Sequence, residues 1–263
     1  MKRTAAFIIV IFAALSAFVP RVYAESPSVS AESAVLVDES GGVLYRKNES
    51  ERRGMASTTK IMTALIALET LSLDDVVTFP RDAVSDGSSA YFAPGENVRV
   101  SDLLYALMLR SANDAAACIA IVAAGSIEAF AAMMNERAKR IGLTDTHFDN
   151  PHGLDSKTHY STALDMAKLT LEALKNPAFR EIVSTKTYIC RSLSGGEDRL
   201  FVNHNRLLGR DGIFGVKTGY TISCGRCLVT ACERGGRTLV AVTLSAPRDW
   251  KDHTELYDYG FGK

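Results

Sequence analysis

The order of strand-like and helix-like segments along the 263-residue chain limits the folds that it can adopt. Residues 33–47, "SAVLVDESGGVLYRK", contain two apolar runs around a turn, which predicts a β-hairpin. From about Thr185 the apolar pattern is again strand-like, in "TKTYICRSL", "GIFGVKTGY", "CLVTACE" and "RTLVAVTLSA", with a turn at 234–236. Strands near both ends of a chain with a helical middle predict an α+β fold. Its antiparallel sheet is formed from both chain ends and carries an inserted helical subdomain.

Helical spacing and capping signals occupy the middle of the chain. Ser101 and Asp102 precede "LLYALML" and are expected to cap a helix, and Ser126 has the position of a cap for the next one. Gly125 and Gly142 are expected helix ends. The predicted helices are 57–71, a broken helix over 101–125, then 126–142 and 161–177, and a last amphipathic helix in "DWKDHTELYDYGF".

The first 24 residues differ in character from the rest. Two basic residues, at positions 2 and 3, precede an uncharged run over 4–20, and small residues follow up to Ala24. This arrangement predicts a secretory signal peptide (1–24) cut after Ala24, because the 17 uncharged residues fall short of the roughly 20 that span a bilayer. We therefore expect an extracytoplasmic protein, either secreted or part of the cell envelope.

Charge and length exclude some function classes for the exported chain. The whole chain has 30 basic and 30 acidic residues, and the leader holds three of the basic ones, which leaves a net charge of −3. A mildly acidic protein is not expected to bind nucleic acid or to be held on anionic membranes by charge. The remaining chain is long enough to bury a sizeable core.

The five cysteines do not form a disulfide framework in a chain of this length. Cys224 and Cys227 have C-x-x-C spacing, but no second C-x-x-C or H-x-x-x-H motif supplies further metal ligands. The favoured interpretation is that they fill apolar space in a strand, and a 224–227 disulfide is the alternative. No metal and no cofactor is predicted.

"MASTTKIMTAL" (55–65) raises the first chemical question. Ser57 and Lys60 are three residues apart, so a helix places them on one face with Cβ atoms about 5–6 Å apart. The residues that follow are apolar on nearly every face, which is typical of a helix buried all round. Burial lowers the pKa of a lysine, and a neutral amine can take the proton of a neighbouring serine. By itself the motif is weak, because a capping serine followed by a surface lysine is common.

Two further motifs add polar groups. "RSANDAA" interrupts an apolar helical stretch, so Ser111 and Asn113 can point into a cleft, although a helix end followed by a new cap has the same pattern. In the strand-like "GVKTGYT", Lys217 and Gly219 share one face. A glycine inside a strand is typical of close approach by another backbone, such as a ligand at the sheet edge.

S-x-x-K, S-x-N and K-T-G occur in this order, spaced by 54 and 106 residues. With these motifs the sequence resembles the penicillin-recognising serine enzymes. It resembles one branch in particular, the low-molecular-mass penicillin-binding proteins that are serine-type D-alanyl-D-alanine carboxypeptidases (peptidase family S11). The shared segments include "VDESGGVLYRKN", "ASTTKIMTALIALE", "FDNPHGLD" and "HYSTALDMAKL", and they extend over nearly all of 33–262. The resemblance implies the β-lactamase/transpeptidase-like form of the α+β fold.

The resemblance also implies a reaction. Ser57 would attack the bond between two terminal D-alanines of a peptidoglycan pentapeptide, with Lys60 as general base and Ser111 as proton relay to the leaving amine. β-Lactams would acylate the same serine as covalent inhibitors. Among the implied substrate-binding residues, Asn113 would bind the peptide amide. Lys217 and Thr218 would bind the terminal carboxylate, with Arg248 as a weaker candidate for the same group. Gly219 and Tyr220 would lie at the strand edge, where the main-chain N–H groups of Tyr220 and Ser57 form an oxyanion hole.

The sequence departs from the family pattern in two places. Gly54 stands shortly before the nucleophile, where the family usually has a proline, and this exchange is expected to loosen the loop. The chain stops after "YDYGFGK", so we expect residues 25–263 to form a single catalytic domain without a C-terminal β domain or membrane anchor.

Three alternatives remain at this stage. A class A β-lactamase shares the three motifs, but the glutamate loop that it uses for deacylation has no counterpart between Asn113 and Lys217. A non-catalytic penicillin-binding sensor module would not need Lys60. A Ser-His-Asp triad with His152 or His204 is disfavoured because no G-x-S-x-G motif is present.

Overall fold

An antiparallel sheet built from both ends of the chain organises the protein. The computed structural model describes residues 26–262, which contain the strands β1 (Ser33–Asp38), β2 (Val43–Lys47), β3 (Val76–Thr78), β4 (Asn97–Arg99), β5 (Thr187–Cys190), β6 (Arg199–Val202), β7 (Ile213–Thr221), β8 (Gly225–Arg234) and β9 (Arg237–Leu244). Five of them form the main sheet in the order β2-β1-β9-β8-β7, every pair antiparallel. The N-terminal strand β1 thus lies beside the C-terminal strand β9. This confirms the predicted α+β fold with a sheet formed from both chain ends.

Helices cover both faces of this sheet. They are α1 (Lys60–Thr70), α2 (Val100–Tyr105), α3 (Asn113–Ala124), α4 (Ile127–Arg140), α5 (Ala163–Leu174), α6 (Pro177–Ser184) and α7 (Asp249–Phe261). α1 to α6 pack on one face, and α7 packs on the other. β1 therefore contributes side chains to two cores: Val35 and Val37 face the helical subdomain, while Ala34 and Leu36 face α7. Burial on both faces explains why residues 34–37 of β1 are all apolar and do not alternate with polar residues.

Helix α1 is the centre of the helical subdomain. Residues 60–67 are buried, as predicted for a helix that is apolar on nearly every face. A 3₁₀ turn, Ala56–Thr59, precedes α1, so the predicted helix 57–71 begins with a tighter turn that carries Ser57. The nucleophile candidate therefore sits on a turn whose other three residues, Ala56, Thr58 and Thr59, are buried.

The predicted caps are partly right. Ser126 Oγ accepts a hydrogen bond from Ala129 N at 3.1 Å, and Gly125 ends α3 with φ +84°. The expected cap at Ser101 and Asp102 is wrong, because β4 leads straight into α2, which starts at Val100. The Asp102 carboxylate is instead buried and accepts a hydrogen bond from the Tyr188 hydroxyl at 2.7 Å.

Several elements were not expected from the pattern. The short strands β3, β4 and β6 lie in two small two-stranded sheets, and α6 is a separate helix that starts at Pro177 after α5. All five cysteines are free and buried, which favours the interpretation of Cys224 and Cys227 as apolar fillers over a disulfide. The predicted leader, 1–24, lies outside the described residues.

No single helix within residues 26–262 has the length and hydropathy to cross a bilayer. Helices α3 and α4 taken together have that length and hydropathy, with a bend of 83° between them.

Candidate active site

The turn that carries Ser57 is fixed by hydrogen bonds from its own hydroxyl groups. Thr58 Oγ1 donates to Met55 O at 2.6 Å, and Thr59 Oγ1 donates to Ala56 O at 2.8 Å. Lys60, the first residue of α1, follows directly, and its Nζ lies 2.9 Å from Ser57 Oγ. The S-x-x-K spacing therefore brings the hydroxyl and the amine into hydrogen-bond contact.

The other contacts of Lys60 determine which way its amine can act. Nζ lies 2.7 Å from Asn113 Oδ1 and 2.5 Å from the main-chain oxygen of His152. The orientation of the Asn113 amide is set because its Nδ2 donates to Asp86 O at 2.6 Å, so Oδ1 must face Lys60. Both oxygens can only accept, so a neutral amine uses its two N–H bonds on them. The lone pair of that neutral amine is then left for the Ser57 hydroxyl, as a general base requires.

Electrostatics favour the neutral amine. Lys60 is fully buried, and burial, helped by the positive charge of Lys217, holds its pKa well below the usual 10.5, against the opposing effect of Asp114. Burial also lowers the pKa of Lys217 to about 7. No carboxylate forms an ion pair with either lysine within residues 26–262.

The second motif lies at the break between α2 and α3. A π-helical turn, Ala106–Arg110, ends at Ser111, which takes the left-handed conformation with φ +61°. Asn113 then begins α3. The predicted interruption of the helix is confirmed, and it turns the two polar side chains toward Ser57. Ser111 Oγ has no hydrogen-bond partner within the described part of the chain and faces the cavity.

Two glycines allow the backbone to close around Ser57. A Cβ atom on Gly219 of β7 would lie 3.1 Å from Ser57 N and 3.2 Å from Met55 O. A Cβ atom on Gly153 would lie 2.0 Å from Ala56 O, and Gly153 also has φ +88°. Gly219 brings the edge strand against the nucleophile, and Gly153 places the His152 carbonyl beneath it.

A cavity of about 540 Å³ opens over these groups. Five of the predicted site residues line it: Ser57, Ser111, Thr218, Gly219 and Tyr220. Lys60, Asn113 and Lys217 are buried just behind this surface. The remaining lining residues are Ser88, Asn203, His204, Arg206, Arg226, Asp249 and Trp250. Arg248 is exposed and does not line the cavity.

Known proteins resemble this chain in sequence and in fold. Residues 21–248 match the family of D-alanyl-D-alanine carboxypeptidases, peptidase family S11. The chain belongs to this family. A D-alanyl-D-alanine carboxypeptidase of Streptomyces sp. K15 is 36% identical, over 99% of this chain and 99% of the relative. One from Bacillus subtilis is 37% identical, over 89% of this chain, which spans 62% of that longer relative. The crystal structure of the Streptomyces K15 DD-transpeptidase superposes with a TM-score of 0.86 at 35% identity, over 91% of this chain and 100% of that one.

The histidines of this carboxypeptidase-family chain do not form a triad with Ser57. His152 contacts Lys60 and Ser57 through its main-chain oxygen, and its ring accepts a hydrogen bond from Leu154 N at 3.3 Å. Burial, with the charge of Lys60, lowers the pKa of His152 to about 3. His204 lines the cavity. Burial, and to a smaller extent the positive charge of Lys217, lowers the pKa of His204.

Sequence reasoning missed the residues that reach the cavity from elsewhere in the family fold. Arg226, Asp249 and Trp250 come from β8 and the start of α7. The antiparallel register pairs Arg226 with Tyr220, and that pairing was the signal that could have indicated Arg226. Asp249 and Trp250 could not be found in this way, because no turn or strand pairing links α7 to β7 in the sequence.

Proposed function

We propose that this protein is a serine D-alanyl-D-alanine carboxypeptidase that removes the terminal D-alanine from peptidoglycan stem peptides. One observation carries the proposal: the buried Lys60 amine lies within hydrogen-bond distance of Ser57 Oγ and of two carbonyl oxygens, so a neutral amine that donates to both carbonyls has its lone pair left for Ser57. This is the arrangement of a serine activated by a neutral lysine. Membership of the carboxypeptidase family supports the choice of substrate.

Acylation follows from this geometry. Ser57 Oγ attacks the carbonyl carbon of the penultimate D-alanine while its proton passes to Lys60 Nζ. The oxyanion accepts hydrogen bonds from the main-chain N–H groups of Ser57 and Tyr220, each such donor typically contributing about 2.7–4 kcal/mol. Lys60 then returns this proton through Ser111 Oγ, assisted by Lys217, to the leaving nitrogen and becomes neutral again. The C–N bond breaks, D-alanine departs, and an ester remains on Ser57.

Deacylation uses the same base. Lys60 takes a proton from a water molecule, the hydroxide attacks the ester carbonyl, and Ser57 Oγ regains its proton as the shortened peptide leaves. The only carboxylate among the cavity-lining residues is Asp249, which is bonded to Arg226. A class A β-lactamase deacylates with a glutamate, and the cavity lining offers none. We therefore expect β-lactams to leave Ser57 acylated for a long time.

Substrate position and cellular location are part of the same proposal. Asn113 binds the peptide amide through its remaining amide hydrogen, and Lys217 and Thr218 attract the terminal carboxylate. Peptidoglycan stem peptides lie outside the cytoplasmic membrane, so the protein acts there, and the leader-like pattern in 1–24 supports export. Mass analysis of the exported protein should give a first residue of Glu25.

The proposal is tested with residues 25–263 and a diacyl-Lys-D-Ala-D-Ala tripeptide. We expect D-alanine release and labelling by a fluorescent penicillin, and Ser57→Ala should abolish both. A chromogenic cephalosporin should be turned over slowly at most, since rapid turnover is the behaviour of a β-lactamase. Adding a D-amino acid acceptor measures how much acyl-enzyme goes to transpeptidation. Peptide cleavage that survives in Ser57→Ala would refute the mechanism, and labelling without any peptide cleavage in the unmodified protein would indicate a sensor module.

A further inference from the structure

One wall of the cavity carries an arginine that the three motifs do not include. Arg226 projects from β8, and its Nε donates to Asp249 Oδ1 at 3.0 Å. Its guanidinium carbon lies 5.9 Å from the centre of the Trp250 ring. Its two terminal nitrogens have no hydrogen-bond partner within residues 26–262, and Arg226 lines the same cavity as Ser57 and Thr218.

The sheet register brings this guanidinium within reach of the K-T-G segment. Thr218 is paired with Leu228 and Tyr220 with Arg226, so Thr218 and Arg226 are diagonal neighbours on one face of β7 and β8. Diagonal neighbours in an antiparallel pair are about 7–8 Å apart, a distance that a long side chain spans. The Thr218 hydroxyl and the free side of the guanidinium can therefore bind the two oxygens of one carboxylate.

We infer that Arg226, rather than Arg248, is the arginine that recognises the terminal carboxylate of the substrate, and that Asp249 is its positioning residue. Asp249 is almost fully buried, and it accepts hydrogen bonds from Arg226 Nε and Trp250 N. Because Asp249 holds Nε, the two terminal nitrogens stay free, and their parallel N–H bonds can bind a carboxylate at two points. This inference rests on the proposed function, because it concerns the specificity of the same site.

A second arginine, Arg206, lines the cavity and is the natural rival. No hydrogen bond or ion pair holds its side chain within the described part of the chain, so binding a carboxylate would cost it more side-chain entropy. Arg248 contributes its main-chain N–H to Ser30 Oγ at 2.9 Å, at the surface where α7 begins. The fixed guanidinium of Arg226 is therefore the better candidate of the three.

The test compares substrates that differ only in the charge to be recognised. The rate constant kcat/KM is measured for diacyl-Lys-D-Ala-D-Ala and for the same peptide with a C-terminal carboxamide, and their ratio is the acid preference. Arg226→Gln should lower this preference about 10- to 100-fold by reducing kcat/KM for the acid substrate only, as expected for a charge-assisted pair. The acid preference of Arg226→Lys should lie between those of the unmodified protein and Arg226→Gln, since an ammonium binds the carboxylate at one point.

The positioning role of Asp249 has its own readout. Asp249→Asn should raise KM for the acid with little change in kcat, and the double variant Arg226→Gln, Asp249→Asn should be no worse than Arg226→Gln. Independent losses that add would contradict it. Arg210→Gln, at an exposed arginine outside the cavity, is the matched control and should keep the full preference.

The outcome is separable from that of the proposed function. Acylation of Ser57 by a penicillin and by its methyl ester gives a second acid preference that requires no peptide hydrolysis. If the unmodified protein releases no D-alanine, the proposed function is wrong. The acylation rates with penicillin and its methyl ester would still show whether Arg226 recognises the carboxylate. An unchanged acid preference in Arg226→Gln, or a larger loss in Arg206→Gln or Arg248→Gln, overturns the inference.

Discussion

Two buried lysines in one site have different surroundings. Lys60 Nζ has three polar neighbours, Ser57 Oγ, Asn113 Oδ1 and His152 O. Among residues 26–262, Lys217 Nζ has one, the main-chain oxygen of Thr218 at 2.9 Å. Within the same range neither amine has a carboxylate partner, so burial disfavours the charged form of both. Residues held in this way at an active site commonly lower stability in exchange for reactivity.

Lys217→Met is therefore expected to make the protein more stable while it destroys the site. The native pKa of Lys217 is about 7 against 10.5 in the unfolded chain, so the unfolded state binds the extra proton between these values. The free energy of unfolding of the unmodified protein should fall by up to roughly 1.4 kcal/mol per pH unit from this residue as pH drops from 10.5 to 7. Below 7 this effect should cease.

Urea unfolding at several pH values measures this effect. The Met variant lacks the titration, so its advantage should widen as pH falls toward 7 and stay constant below it. The same exchange at exposed Lys157 is the control and should not change the slope. An advantage that does not depend on pH would mean that Lys217 is not buried in its neutral form.

At the scale of elements, the sequence predicted what depends on local pattern. The hairpin β1–β2, the buried helix α1, the break before Asn113 and the K-T-G strand all have spacing or capping signals of their own. It could not predict α6 or the short strands, which depend on neighbours distant in the chain. For the same reason, only the order of the three motifs indicated that Ser57, Ser111 and Lys217 share one site. No sequence motif indicated Arg226, because its position in the cavity depends on strand register.

Gly54 shows how a local interpretation fails without the packing. It was expected to loosen the loop before Ser57, yet a Cβ atom at Gly54 would lie 2.3 Å from Cys224 Sγ. Cys224 follows β7, and Cys227 Sγ lies 3.7 Å from Gly54 O. The lack of a side chain at Gly54 therefore leaves room for Cys224 in the turn between β7 and β8.

Gly54→Ala should accordingly destabilise the protein by about 1–3 kcal/mol, and Cys224→Ala should relieve part of that cost. In a double-mutant cycle measured by urea unfolding, the two changes should couple by at least about 0.5 kcal/mol. Gly196→Ala, where a Cβ atom would meet nothing closer than 3.4 Å, is the control. Strictly additive costs would show that Gly54 and Cys224 do not compete for the same space.

At the scale of the whole molecule, the two chain ends close the structure on each other. Asp252 in α7 accepts hydrogen bonds from Ser30 N at 2.9 Å, Ser30 Oγ at 2.7 Å and Ala31 N at 3.1 Å. This carboxylate is fully buried and joins segments more than 220 residues apart. Because β1 also lies between β2 and β9, the sheet is incomplete until both ends are in place.

We therefore expect residues 25–263 to unfold as one unit, as predicted for a single domain. Trp250, the only tryptophan, reports on α7, and loss of penicillin labelling reports on the helical side. The two thermal transitions should coincide, and Asp252→Asn should lower both by the same amount, about 1–3 kcal/mol in unfolding free energy. Exposed Asp74→Asn should leave them unchanged. Two transitions that separate would indicate two domains.

The hydrogen bond from Lys60 to the main-chain oxygen of His152 affects how a mutational survey of this site would read. Replacing His152 by alanine leaves its carbonyl in place, so scanning side chains passes over one of the three groups that aim the amine. Loss of activity would instead be observed on substituting Gly153, because a Cβ atom at that position would collide with Ala56 O and displace the neighbouring His152 carbonyl. A survey would then credit a glycine with a contribution that belongs to its neighbour's peptide group.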